Sequence, residues 1–267
     1  MIFEVRNGCY GYLEQETILN DINFTIKDGE VLAILGSNGI GKTTLLRCMM
    51  GLLKWKSGTT LIDGRSIFDL TIKQIWQNIG YVPQAKTTVL PYTAKEMILL
   101  GRSTHINLWE QPKKEDLEIA DEVIEIVGIQ KLRDKSCTRM SGGELQMVLI
   151  ARALASKPKM LVMDEPESNL DFKNQLIILE IIKKLSKLHN ISCVLNTHYP
   201  EHALRVADKS LILCKNEKKH YGETRKVINE KNMQEAFEVE VILEKVKIQN
   251  NTFSYIFPIK FSDEVSF

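Results

Sequence analysis

The apolar positions change their spacing several times along the chain. Ile2, Phe3 and Val5 open one strand, and Ile22, Phe24 and Ile26 alternate in a second. Val31-Leu32-Ala33-Ile34-Leu35 is continuous, which suits a strand buried on both faces of a helix-flanked parallel sheet. Lys27-Asp28-Gly29 marks the turn between the last two. A glycine-rich loop from Gly36 leads into helix formers over 42–50. Strand spacing returns at Ile79-Gly80-Tyr81-Val82. Helical spacing then dominates from Gln84 to Pro158. Ala94 to Leu100 is one short candidate. Lys114 to Val127 has apolar residues on one face and ends before Gly128. Ser141 to Ser156 is a third, with Pro158 beyond its end. Met160-Leu161-Val162-Met163 reads as a strand, Lys173 to Leu188 as a long helix, and 192–196 and 210–214 as further strands. This alternation predicts an α/β fold with a helical insertion between the halves of its sheet.

Residues past 222 form a separate pattern. Val227 and Ile228, then Met233, Ala236 and Phe237, predict two short helical turns. Glu240 to Ile248 and Thr252 to Ile259 flank Asn250-Asn251 as a hairpin. Lys215, Lys218, Lys219, Arg225 and Lys226 make a mildly basic stretch that reads as a solvated face.

Composition narrows the function. The 267 residues carry 35 Lys+Arg against 34 Asp+Glu, a net charge of +1. A nucleic-acid binder usually shows a basic domain or stripe, and this near-neutral balance gives no support for one. The apolar runs fall short of the ~18 residues that a membrane helix needs. The amino terminus lacks a signal-peptide layout, so a cytoplasmic chain is expected. Five scattered cysteines without a C-x-x-C pair read as reduced, mostly buried thiols rather than metal or redox ligands.

Gly36-Ser37-Asn38-Gly39-Ile40-Gly41-Lys42-Thr43 matches G-x-x-x-x-G-K-[ST]. Its glycines let backbone N–H groups wrap a phosphate, and the helix that follows, with Thr44 in its first turn, aims its positive end there. Lys42 adds charge near the β/γ-phosphates, and the Thr43 hydroxyl can ligate Mg²⁺. Asp164 and Glu165 end the strand 160–163, where open α/β sheets bind ligands. One carboxylate can hold Mg²⁺, and its neighbour can polarise an attacking water. Ser141-Gly142-Gly143-Glu144 opens an apolar helix and forms a second anion-binding helix start. Two such devices suit two chains facing head to tail, each ATP lying between the P-loop of one and the serine-glycine helix of the other.

With these motifs in place, residues 1–222 resemble the nucleotide-binding subunit of ABC (ATP-binding cassette) transporters. The resemblance implies a P-loop NTPase cassette with a RecA-like mixed-sheet core (1–85 and 159–222), N-terminal antiparallel strands, an inserted helical subdomain (86–158) and a short C-terminal extension (223–267). It implies that Gln84 contacts Mg²⁺ and the attacking water, and that Ser168-Asn169-Leu170-Asp171 crosses the dimer interface. It implies that His198 senses the γ-phosphate and that Tyr12, or else Tyr10, stacks on adenine. His198 and His202 stand at zinc-pair spacing, but Pro200 between them fits the start of a helix, which favours the phosphate role. Met140 and Glu144 depart from the commonest signature ends, and Glu167 stands where threonine is frequent. Glu144 is expected to lie along its helix or to pair with a cation. No catalytic group is missing, so an active ATPase using ATP and Mg²⁺ is expected.

Leu100-Gly101-Arg102-Ser103-Thr104-His105 and the following Pro112-Lys113-Lys114-Glu115-Asp116 are similar to importers of iron chelates, haem and cobalamin, and molybdate/tungstate importers share the run Gly101 to His105. The latter also share a segment like Gly222-Glu223-Thr224-Arg225. The implied partners are a second copy of this chain, two membrane-spanning permease subunits that meet the surface at 84–104, and an extracytoplasmic substrate-binding protein. The implied place is the cytoplasmic face of the membrane, without nucleic acid. A non-transport ABC ATPase of the iron–sulfur cluster assembly kind would share every ATP motif. A DNA-repair cassette needs a long coiled coil between Lys42 and Ser141, which are only 99 positions apart. A translation factor needs a second P-loop, and a GTPase needs Asn-Lys-x-Asp.

Overall fold

The computed structural model describes the chain except residues 14–15, 86–90, 108, 216, 250 and 262–267. Part of the expected partner surface (86–90) and Asn250 of the expected turn therefore lie outside the described residues.

The alternating segments at the start form β1 (Phe3–Tyr10) and β2 (Leu19–Ile26), an antiparallel pair that buries Phe3, Val5, Ile22, Phe24 and Ile26. The continuous run is β3 (Val31–Leu35), buried at every position, and α1 (Lys42–Met49) follows the glycine-rich loop. β4 (Ser57–Ile62) and β5 (Arg65–Ser66) complete a four-stranded antiparallel sheet in the order β2-β1-β4-β5. Periodicity did not mark these two. β4 begins Ser-Gly-Thr-Thr, and its ladder with β1 decides its conformation.

Next come α2 (Ile72–Asn78), β6 (Ile79–Val82), α3 (Ala94–Leu99), α4 (Lys114–Val127), α5 (Gly142–Ala155), β7 (Met160–Asp164) and α6 (Phe172–His189). The unmarked α2 spans two turns and is closed by a capping box between Thr71 and Gln74. The chain ends with β8 (Ser192–Asn196), α7 (Pro200–Val206), β9 (Lys209–Leu213), β10 (Lys219–Glu223), α8 (Thr224–Val227), α9 (Glu230–Phe237), β11 (Val239–Ile248) and β12 (Asn251–Phe261).

Packing separates two units, Met1–Ile67 with Val194–Phe267, and Phe68–Cys193. In the first, strands run in the order β10-β9-β3-β8, with β3 parallel to β9 and β10 antiparallel to it. β11 and β12 form a separate antiparallel ribbon. In the second, β6 and β7 are parallel, and α3 and α4 pack on the almost wholly buried α5. The architecture is α/β, with mixed parallel and antiparallel pairing.

The basic stretch around 215–226 is not a bare cationic face. Lys215 pairs with Glu238, Lys218 with Glu235, Lys219 with Asp21 and Lys226 with Glu223. Four of the cysteines are buried and Cys9 partly so, all as free thiols. Burial pushes Cys48 and Cys193 up to about 12, so both stay neutral. Among the described residues no helix is long and apolar enough to cross a membrane.

Candidate nucleotide site

In the first unit β3 delivers the chain into the loop 36–41. Gly36, Gly39 and Gly41 take φ of 146°, 78° and 105°, values that glycine adopts without strain. At Gly41 a Cβ would also lie 2.7 Å from Ile18 Cγ2, so a side chain is excluded twice over. Gly41 is the N-cap of α1 and makes no side-chain cap, which leaves the helix start to an outside acceptor. Asn38 and Gly39 are exposed, and Ser37 and Ile40 are half-buried. Lys42 is 5% exposed. Its ammonium donates to the carbonyls of Gly36 (2.8 Å) and Ser37 (3.0 Å) and lies 3.2 Å from His198 Nδ1. An ammonium only donates, so Nδ1 accepts and the ring proton of a neutral His198 sits on Nε2. The structure thus brings the P-loop lysine and His198 together across 156 positions of sequence.

Tyr12 is exposed, and its hydroxyl lies 3.2 Å from Thr44 Oγ1. Tyr10 meets it edge-on, with ring centroids 5.3 Å apart. His202 lies on α7, which starts at Pro200, and its ring packs on Tyr199 at 4.7 Å.

The second unit carries the remaining candidates. β7 ends at Asp164, whose Oδ2 accepts from the Tyr81 hydroxyl at 3.4 Å. Glu165 takes φ 50°, a left-handed conformation uncommon for a side chain of this size. Ser168 turns back on it. Its Oγ donates to Glu165 Oε2 (3.2 Å) and its N–H to the Glu165 carbonyl (3.1 Å). Ser141 caps α5 with a reciprocal box: its Oγ accepts from Glu144 N–H, and Glu144 Oε2 accepts from Ser141 N–H at 2.8 Å. Lys135 grips both Glu144 oxygens, at 2.9 and 2.7 Å. That ion pair first, and the Ser141 amide second, hold the carboxyl below the usual glutamate range. Glu144 is therefore tied back to Lys135 and its own helix start. A Cβ at Gly143 would sit 2.5 Å from Asn174 Cγ, so the signature glycine admits close approach of α6.

The ABC transporter family model matches residues 19–168, more than half of the chain. The chain belongs to the ABC transporter family. It is 32% identical to the molybdate import ATP-binding protein MolC of Haemophilus influenzae, over 96% of this chain and 95% of that protein. It is 32% identical to the petrobactin import ATP-binding protein FpuC of Bacillus anthracis, over 90% and 88%. Among solved structures, an inward-facing metal-chelate type ABC transporter aligns with a TM-score of 0.86 at 31% identity, covering 96% of this chain and 97% of that one.

This ABC protein is an ATPase, and its residues fit a nucleotide. The P-loop has a backbone cradle with left-handed glycines, an uncapped helix start and a buried ammonium. Thr43 carries a hydroxyl oxygen and Asp164 a carboxylate, each in its own unit the kind of hard donor that Mg²⁺ prefers.

Sequence motifs missed one residue that organises this cassette. Gln146 of α5 is 1% exposed. Its Nε2 donates to the Pro83 carbonyl (3.2 Å) and its Oε1 accepts from Ala85 N–H (2.8 Å), clamping the peptides on both sides of Gln84. A glutamine two positions past the signature is the only sequence signal of it. Gln146→Leu keeps the volume and leaves both backbone groups without this partner, a loss of about 1–3 kcal/mol. Chemical denaturation should register it, and hydrogen exchange at the Ala85 amide should accelerate. Unchanged exchange there would mean the clamp does not hold the segment.

Proposed function

We propose that this chain is the ATP-binding and hydrolysing subunit of an importer at the cytoplasmic face of the membrane. The cargo class is a metal chelate (iron-siderophore, haem or cobalamin) or a metal oxyanion (molybdate or tungstate). The observation that carries this reading is the extent of the likeness. A molybdate import protein and a metal-chelate type transporter each align with 96% of the chain, well beyond the catalytic motifs. In this reading residues 1–222 are the nucleotide-binding domain and 223–267 an extension. Two copies close on two ATP molecules, with Ser141, Gly142 and Gly143 of one completing the site begun by Gly36 to Thr44 of the other. Tyr12 stacks on the adenine. Thr43, Gln84 and Asp164 would hold Mg²⁺, which would supply neutralising charge for the phosphates. Glu165 takes the proton of the attacking water, and His198, donating from Nε2, contacts the γ-phosphate. Positioning and charge supply most of the acceleration in such a reaction.

Two permease subunits and an extracytoplasmic binding protein complete the assembly. The second unit has a groove of about 360 Å³ that suits a permease segment. Trp76, Tyr81, Leu100, Ser103 and Thr104 line it, and Leu100 is 46% exposed. The test is co-production with permeases of the metal-chelate and metal-oxyanion importer classes. The chain should then sediment with membranes, and Leu100→Glu should release it while the purified variant keeps its basal ATPase activity. A chain that stays soluble beside every such permease would point to the non-transport ATPase instead.

A further inference from the structure

Outside the nucleotide site, the described residues contain one group of mixed metal-ligand side chains. Cys214 follows β9, His220 lies on β10 and Glu235 on α9, and their donor atoms all fall within 4.8 Å of one another. We infer that Cys214, His220 and Glu235 form a binding site for a borderline divalent cation of the Zn²⁺ type, distinct from the Mg²⁺ of the nucleotide and independent of the cargo.

The donor set decides the chemistry. A thiolate, an imidazole and a carboxylate make a mixed S/N/O set, which suits Zn²⁺ and Co²⁺ and not the all-oxygen preference of Mg²⁺ or Ca²⁺. Three protein ligands leave a fourth tetrahedral position to solvent. His220 Nε2 and Glu235 Oε2 are 3.0 Å apart, close to the ~3.3 Å edge set by ligand bonds of about 2.0–2.1 Å. The remaining donor separations are at most 4.8 Å, against an edge of about 3.6 Å set by bonds of about 2.3 Å to sulfur and 2.0–2.1 Å to nitrogen or oxygen.

The surroundings fit as well. The β9–β10 hairpin places the thiol: Cys214 N–H donates to the Lys218 carbonyl (2.9 Å), and Leu213 opposes Lys219 in the ladder. On the inner side Cys214 packs with Ile212, Val227, Met233 and Ala236. On the outer side the His220 and Glu235 side chains are each 27% exposed, a path for the ion. Lys218 Nζ stands 4.0 Å from Glu235 Oε1, at the oxygen that His220 does not share.

Charges and protons balance. The thiol loses one proton to solvent, and the neutral imidazole, which donates to Glu235 from Nε2, exchanges that proton for one on Nδ1 and presents the freed Nε2 lone pair. A dication held by one thiolate and one carboxylate is then neutral overall. The bound ion would fasten α9 to the edge of β10. α9 in turn packs on β11 and accepts the Leu243 N–H on Glu230 Oε1 at 3.0 Å, so the ion would anchor the base of the β11–β12 ribbon.

Co²⁺ titration of the reduced, nucleotide-free full chain tests this. One equivalent should produce a thiolate-to-cobalt charge-transfer band in the near ultraviolet and intense visible bands of tetrahedral Co²⁺, both abolished by one equivalent of Zn²⁺. Cys214→Ser and His220→Ala should lose the charge-transfer or tetrahedral signature. Glu235→Gln should weaken binding at least tenfold, and Cys9→Ser should change nothing. Circular dichroism of each variant separates loss of ligand from loss of fold. A chain without the band at stoichiometric Co²⁺ overturns the site and leaves a His220–Glu235 hydrogen bond beside a neutral thiol. A band that persists in folded Cys214→Ser overturns it equally.

Discussion

Glu165→Gln should cut ATP turnover by about 10²–10⁴-fold while nucleotide affinity stays within a few-fold of the parent. The substitution is nearly isosteric and keeps an oxygen that can accept from Ser168 Oγ, which lies 3.2 Å from Glu165 Oε2. It removes only the ability to take a proton. The residue is held in one local geometry: it directly follows β7, at φ 50°, with the Ser168 hydroxyl and amide both folded back onto it. A non-glycine residue kept in this conformation costs on the order of 1 kcal/mol, and such strain clusters at functional sites. Phosphate release in single-turnover mixing and fluorescent-nucleotide binding read the two quantities separately. Without turnover, ATP should also trap a dimer that elutes early in gel filtration. Near-parental turnover in the variant would remove Glu165 as the base.

The second large effect is on stability. Arg102 and Asp116 form an ion pair at 2.8 Å, with side chains only 7% and 9% exposed. The guanidinium also donates to the Ala155 carbonyl (2.9 Å), and Asp116 also accepts from Lys113 N–H (2.9 Å). The pair therefore ties the segment after α3, the start of α4 and the end of α5 together. Asp116→Ala strands a buried cation and should cost about 3–5 kcal/mol. For a chain of this size that is a fall in Tm on the order of 10 °C. Arg102→Met combined with Asp116→Leu should recover most of the loss, because neither charge then stays buried alone. Additive losses in the double variant would mean that the ion pair is not what holds the three segments.

The same pair sets a pH dependence. The Arg102 hydrogen bond, chiefly, holds the Asp116 carboxyl below the usual aspartate range, with the Lys113 amide assisting. A depressed folded-state value means that the stabilisation is complete above the unfolded value of about 3.9 and is lost as pH falls through the folded one. Acid denaturation should thus be shallower in Asp116→Asn than in the parent below about pH 4, with no difference in slope near neutrality.

Arg102 belongs to the run Gly101 to His105, which in sequence pointed to a subgroup of importers. Its structural content is packing. Arg102 makes the buried pair, His105 Nε2 lies 2.9 Å from the Ser156 carbonyl, and the Thr104 carbonyl accepts from Gln77 at 3.3 Å. The run therefore braces the helices beside the groove.

Much of the cassette was legible because its signals are short. A P-loop, a signature at a helix start and two carboxylates at a strand end each need only a few consecutive residues. Strands such as β3, buried at all five positions, and helices such as α4, apolar on one face, declare themselves by period. β4, β5, α2 and β10 did not, because their conformation comes from a neighbouring ladder or cap and not from their own pattern.

The amino-acid sequence by itself determined the α/β class and the ATPase family, since the motifs that mark them depend on local backbone geometry and residue type. Only the tertiary structure decided which distant groups meet. Lys42 reaches His198, Gln146 clamps both sides of Gln84, Arg102 is buried on Asp116, and Cys214, His220 and Glu235 converge. No spacing rule encodes such meetings, because each is set by how strands and helices far apart in the chain pack to bury their apolar faces.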